Sequence, residues 1–222
     1  MPKVSEAHLA ARRSQILEAA VVCFARKGLD RATMQDIVAQ SKLSPGAIYN
    51  YFGSKEEIIE TIADERHARE RATIADARAA STVPAALARI RDAFFASLDD
   101  PAERRRRRVG IQLWAEAQRS PKILALVRRG VDQPRALLRT LIAHAQRRGE
   151  IACDLDPDAT ARFMIAVFQG FVLQLDWDHR TAIPPYLDVI DRCLEGLLTP
   201  SSARRRAAVK RGATSETESS AR

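Results

Sequence analysis

Ser44, Pro45, Gly46, Tyr49, Asn50 and Tyr51 fall within eight residues, and none of them carries a charge. A helix face that merely meets water more often presents Lys and Glu. Here hydroxyl, phenol and carboxamide groups can bond phosphate oxygens or base edges. The glycine among them allows close approach of a backbone. This is the chemistry of nucleic-acid recognition rather than of bond making. The chain shows no Ser/His/Asp set, no glycine-rich phosphate loop and no Cys or His spacing suited to a metal, so an enzyme, a cofactor and a metal are not expected. The histidines at 8, 67, 144 and 179 are scattered and are expected at the surface or at helix ends. A small helical hairpin of the same outline, packed in an all-α core, is the alternative these residues leave open.

Two short helices must position these groups. Thr33 is an N-cap, and Met34, Ile37 and Val38 then share one face. The pattern breaks at Ser41-Lys42-Leu43. Ser44 caps the next helix, with Pro45 at its first position, where the missing N–H costs nothing. Ile48 and Phe52, four apart, form its apolar face. So short a turn makes the helices cross steeply, as a helix-turn-helix. A preceding helix is expected over 8–27, closed by Gly28. Its core residues are Ile16, Ala20 and Phe24. Gly53 ends the second short helix; Ser54 and Glu57 form a capping box for a long helix from Lys55 to about residue 80. Lys55 lies in that first turn, against the helix dipole. Arg13, Lys27 and Arg31 are further candidates for phosphate contact, with solvated surface charge the alternative for each.

These residues carry a resemblance. Ile16-Leu17, Ala20, Phe24 and Gly28 are followed by Ala32-Thr33 and Asp36-Ile37. Then come Leu43-Ser44-Pro45-Gly46-Ala47-Ile48-Tyr49, Tyr51-Phe52 and Ser54-Lys55-Glu56-Glu57. Over residues 13–59 the chain resembles the DNA-binding domain of the TetR family of bacterial transcriptional regulators. The resemblance implies Pro45, Gly46 and Tyr49 at the major groove, with Thr33, Ser44, Tyr51 and Lys55 on phosphates and Asn50 beside them. It implies a ligand-responsive regulator of transcription, a repressor released from a palindromic operator by a small, largely apolar effector. The family usually has Ala-Gly where this chain has Ser41-Lys42, so Lys42 is expected in a left-handed turn at about 1 kcal/mol. Tyr51 stands where the family often has His. A nucleoid-type or adaptor protein that binds DNA without sequence preference is the other function considered.

The charge distribution agrees with a DNA partner. The net charge is +8 over 222 residues, and it is concentrated at the two ends. Residues 1–55 hold eight basic and four acidic side chains, residues 201–222 six and two, and the middle twenty-two of each. Phosphate attraction calls for such a concentration of positive charge. No run of about 20 apolar residues is present, and the N-terminus lacks the apolar stretch of a signal peptide, so the expected place is the cytoplasm. Cys23, Cys153 and Cys193 read as buried thiols, with a redox sensor the alternative.

Beyond residue 81 each helix opens near a proline: Pro84, Pro101, Pro121, Pro157 and Pro184. Helices are expected near 84–98, 101–118, 121–148, 157–178 and 184–198, with Pro134 kinking or splitting the third. The fold class is all-α, an N-terminal three-helix helix-turn-helix domain followed by a larger helical ligand-binding and dimerisation domain. The expected divisions are 1–7 disordered, 8–54 DNA-binding, 55–83 connecting helix and linker, 84–200 effector-binding and dimerisation, and 201–222 a disordered basic tail. That tail either adds non-specific DNA affinity or merely solubilises. The segment Leu113-Trp114-Ala115-Glu116-Ala117 followed by Ser120-Pro121, with the helix layout, extends the resemblance into this half. In the family that half forms the dimer and encloses a small-molecule pocket.

A helix apolar around most of its circumference must be buried on more than one side. Ala161, Ile165, Phe168, Gln169 and Val172, with Leu187, Ile190 and Leu194, are expected at a twofold homodimer interface, since a twofold operator needs a twofold protein; ordinary monomer core is the alternative. Trp114, Phe94, Phe95 and Phe168 are the ligand-pocket candidates, with ordinary core packing the alternative for each. The arginines from 104 to 108 go fully round a helix, so at least one faces inward if the helix is packed there, and it then needs an acidic partner or an anionic ligand. The alternative is a projecting helix end with all five solvated.

Overall fold

The computed structural model describes residues 6–96, 98, 100–178 and 180–198, apart from the side chains of 197 and 198. Among these, every regular element is an α-helix: α1 (Glu6–Lys27), α2 (Met34–Ser41), α3 (Pro45–Tyr49), α4 (Lys55–Ala77), α5 (Val83–Ala96), α6 (Pro101–Glu116), α7 (Pro121–Arg147), α8 (Pro157–Trp177) and α9 (Ile183–Leu198). The helix starts follow local chemistry. Asp100 and Asp156 each accept a backbone N–H ahead of Pro101 and Pro157.

Two expectations change and a third narrows. α1 begins at Glu6, so residues 6 and 7 are helical; 1–5 and the tail 201–222 lie outside the described residues. α4 ends at Ala77 rather than near 80. Of the two outcomes expected at Pro134, a kink or a split, the split does not occur: α7 runs through it for 27 residues. A proline removes one N–H and crowds one carbonyl, a local cost that the remaining turns of so long a helix can carry.

The chain divides into two compact units, Met1–Ala72 with Ala96–Pro134, and Thr73–Phe95 with Arg135–Arg222. In the first, Ile16, Phe24, Ile37, Ile48, Phe52 and Ile58 form a core with Val109 and Leu113 of α6 and Leu126 of α7. Full burial of each large side chain is worth roughly 1.5–3 kcal/mol. In the second, Ile74, Leu87, Ile90, Leu138, Ile142 and Ala161 form another core. In the first unit, α6 and the first half of α7 pack with α1 and α4.

Candidate nucleic-acid interface

The segment from Thr33 to Phe52 is held at both helix starts and at the turn between them. The Thr33 hydroxyl accepts the Asp36 N–H (3.2 Å), and the Asp36 carboxylate accepts the Thr33 N–H (3.0 Å) and hydroxyl (3.0 Å). This reciprocal capping box went unread in the sequence, where its signal is Thr-x-x-Asp rather than Thr-x-x-Glu. Lys27 of α1 donates to the other Asp36 oxygen at 2.6 Å. The lysine, with the Thr33 N–H after it, holds the Asp36 carboxyl down to about 2. Lys42 ends α2 with φ 58°, the left-handed conformation expected of it. The Ser41 carbonyl before it takes a bond from the Gln15 amide of α1 at 2.8 Å. The Ser44 hydroxyl accepts the Ala47 N–H at 3.2 Å and starts α3.

Helix α3 is only five residues long, and its sides are chemically distinct. Ile48 is fully buried, as is Phe52 just beyond. Ser44, Pro45, Gly46, Tyr49 and Asn50 are exposed, Tyr49 at 53%. The exposed set therefore forms one contiguous, uncharged surface on a capped helix. Tyr51, just beyond α3, is half-buried and packs part of its ring against the core. The α4 start differs in detail. Ser54 accepts the Glu57 N–H at 3.2 Å, and the Glu57 carboxylate reaches the Gly53 N–H at 2.7 Å.

The cations flanking α3 have partners within the chain. Lys55 donates to the carbonyls of Leu29 (2.8 Å) and Asp30 (3.3 Å), tying the start of α4 to the turn after α1. An ammonium has three donors, so one remains beyond these two bonds. Arg13 pairs with Glu65 at 2.8 Å and lies over the Phe52 ring at 5.2 Å. Arg31 donates to the Lys27 carbonyl at 3.2 Å.

The arginine run resolves into two kinds. Arg104 and Arg105 are exposed; Arg106, Arg107 and Arg108 are half-buried. Arg106 pairs with Glu18 of α1 and with Glu103 (2.6 Å), and Arg107 donates to the Leu98 carbonyl. The inward arginine thus finds acidic partners, and the run is not a fully solvated helix end. Nearby, the Gln112 amide donates to the Phe24 carbonyl of α1 at 3.2 Å.

In the second unit Phe94, Phe95 and Phe168 come together as expected. Ring centroids are 4.9 Å apart for Phe94–Phe168 and 5.8 Å for Phe95–Phe168. Two rings not singled out from sequence complete the cluster: Phe171 lies 5.5 Å from Phe95 and stacks on Tyr186 at 3.9 Å. Trp114 belongs to the first unit and is half-buried there, so the four ligand-pocket candidates do not share one unit.

Of the dimer candidates, Ala161, Val172 and Ile190 need correction, while Ile165, Phe168, Gln169, Leu187 and Leu194 keep part of their surface exposed. Ala161, Val172 and Ile190 are buried within the protomer, and Ile165 and Leu194 pack against the core that Ala161 belongs to. Phe168 faces the aromatic cluster; Gln169 and Leu187 are half-buried. Among the described side chains of these helices, the large apolar groups left exposed are Phe163 and Trp177 on α8 and Val189 on α9, with the smaller Ala166, Pro184 and Pro185 also exposed. Periodicity identified helices apolar on several sides without telling which side meets the protomer's own core. Other expectations shift similarly. Cys23 is buried, and burial pushes its thiol up; Cys153 and Cys193 are exposed. His8 and His144 are exposed, His67 is buried, and His179 lies outside the described residues. Among the described residues no helix is long and apolar enough to cross a membrane, and no group of three or more His, Cys, Asp or Glu could hold a metal ion.

Comparison with known proteins places this geometry in context. Residues 16–62 match the family described as bacterial regulatory proteins, tetR family, and residues 84–199 match the C-terminal part of BetI-type transcriptional repressors. Over 65 residues the chain is 48% identical to the HTH-type transcriptional repressor Rv1474c of Mycobacterium tuberculosis, a match covering 29% of this chain and 35% of that relative's length. It is 24% identical over 201 residues to the HTH-type transcriptional regulator UidR of Escherichia coli, covering 85% of this chain and 94% of the relative. The solved structure of Salmonella enterica GusR superposes with a TM-score of 0.71 at 26% identity, covering 88% of this chain and 98% of that one.

Proposed function

Because the chain belongs to the TetR family of bacterial regulatory proteins, we propose that it is a cytoplasmic, sequence-specific repressor of transcription that leaves its operator when a small effector binds. The observation that carries this reading is α3: a doubly anchored helix with Ile48 buried and Pro45, Gly46, Tyr49 and Asn50 displayed on an uncharged surface. Pro45, Gly46 and Tyr49 read base edges in the major groove, with Asn50 at its margin. Ser44, Tyr51 and the spare donor of Lys55 meet phosphates, and Thr33 joins them by turning its hydroxyl from Asp36 to the DNA backbone.

Two copies associate through the exposed apolar groups of α8 and α9. A twofold molecule then meets a twofold operator, with half-sites about 34 Å apart. The effector is apolar and aromatic-compatible, and its site is built around Phe94, Phe95 and Phe168. An effector acts only through its different affinity for the DNA-binding and released states. DNA is the partner, and a chemical reaction on the effector has no part in this reading.

Selection of random duplexes at near-physiological salt tests the proposal. A palindrome with half-sites one helical turn apart, weakened by Tyr49→Ala and Lys55→Ala, supports it. Enrichment without a motif, falling with salt and indifferent to both substitutions, would overturn it in favour of non-specific binding.

A further inference from the structure

Helix α4 and the first half of α7 lie side by side with the same sense, and their contacts form a ladder. Glu60 meets Lys122 at 2.7 Å, Asp64 meets Arg129 at 3.4 Å, and Arg71 donates to Gln133 at 2.6 Å. One rung is of a different kind. His67 is buried, and its ring occupies the space above Gly130. A methyl group built on that glycine would fall on Nε2 and lie 2.6 Å from Cε1 and 2.7 Å from Cδ2. The preceding residue repeats the device: Arg66, paired with Glu70 at 2.7 Å, fills the space above Gly110 of α6. Glycine at 110 and at 130 thus makes room for two consecutive α4 side chains on two neighbouring helices.

The imidazole is the member of this pair that can change charge near neutral pH. Facing it are Asp64, Arg66 and Glu70 on α4 and Arg129 on α7. The two acids favour an imidazolium and the two arginines oppose it. Burial outweighs both and holds the ring below its ordinary value. The helix it seats continues directly from the DNA-facing segment, because Ile58, Ile59 and Ile62 of α4 share a core with Ile48 and Phe52.

We propose that His67 is a positioning residue for DNA binding: as a neutral ring it seats α4 in the Gly130 slot of α7, and protonation unseats it, so that mildly acidic pH weakens the grip on DNA. The proposal rests on the reading of α3 as the DNA-facing helix. A neutral ring in the folded chain means that the unfolded chain binds more protons below about pH 6.5. Stability is therefore full above that value and is lost as pH falls through it. Ordinary electrostatics runs the other way, since protonating exposed histidines adds positive charge and tightens DNA binding.

The test uses the full chain, His67→Gln, Gly130→Ala and, as a control on an exposed histidine, His144→Gln. Thermal melting and affinity for the selected operator are followed from pH 7.5 to 5.5. In the wild type the melting temperature falls below about pH 6.5 and operator affinity drops about fivefold or more. His67→Gln, which cannot be protonated, loses that pH-dependent drop whatever its affinity at pH 7.5. His144→Gln follows the wild type, and Gly130→Ala, with its slot filled, binds more weakly at pH 7.5 with a flatter profile. Parallel profiles for wild type and His67→Gln overturn the proposal. So does a His67 ring signal that titrates at or above about pH 6.5 in the folded chain by NMR, a measurement that stands even if a variant fails to fold. Should no duplex be selected at all, the DNA-binding reading falls, while the melting profiles and the ring titration still decide how His67 behaves in its slot.

Discussion

Lys42 holds a left-handed backbone (φ 58°) at the end of α2 with an exposed side chain. An L-residue pays for that conformation and glycine does not. Lys42→Gly is therefore expected to stabilise the chain by about 0.5–1 kcal/mol in urea denaturation, the gain being trimmed by the larger freedom of glycine in the unfolded state. Asp36 is a residue whose titration matters in acid. Lys27 and the Thr33 N–H favour its charged form and hold it near 2, below the ordinary carboxylate value of 3.8. Its contribution is thus present above about pH 4 and is lost as pH falls from about 4 through 2. Urea midpoints taken between pH 5 and 2 should fall less steeply in Asp36→Asn than in the wild type, and equal slopes would remove this residue from the account of acid unfolding.

At the scale of the element, α3 separates folding from display. Ile48→Ala empties a fully buried site and should cost about 2–5 kcal/mol, lowering the melting temperature whether or not DNA is present. Tyr49→Ala, at an exposed position, should leave stability within about 0.5 kcal/mol while weakening operator binding. Calorimetry beside a binding isotherm distinguishes the two, and a Tyr49→Ala chain that melts early would contradict the division. This region was legible in the sequence because its signals are local. Ser44 and Pro45 announce a helix start, and Ile48 and Phe52 share a face whatever lies elsewhere in the chain. The His67–Gly130 pairing was not legible, since its partners stand 63 positions apart and neither marks the other. The end of α3 was not legible either: helical spacing extends through Tyr51, yet α3 ends at Tyr49.

On the scale of the whole molecule, α8 and α9 carry two apolar surfaces, one spent inside the protomer and one facing outward. Val189→Asp should yield a folded monomer in sedimentation, whereas Val172→Asp, which buries a charge inside the protomer, should unfold the chain. A Val189→Asp dimer of unchanged strength would place the interface elsewhere. Amphipathic pattern alone could not have separated these surfaces, because both are apolar. Nor could it foresee that α6 packs with α1, an arrangement fixed by Val109, Leu113 and the Arg106–Glu18 pair. The smallness of α3 carries a consequence for descent. Its displayed positions are few, its anchors lie on the opposite side, and a paired molecule would repeat every change in both copies. One altered codon at Tyr49 or Asn50 would then recast both halves of the target at a stroke, so that duplicated copies of such a gene could part company in a single generation without either passing through an unfolded ancestor.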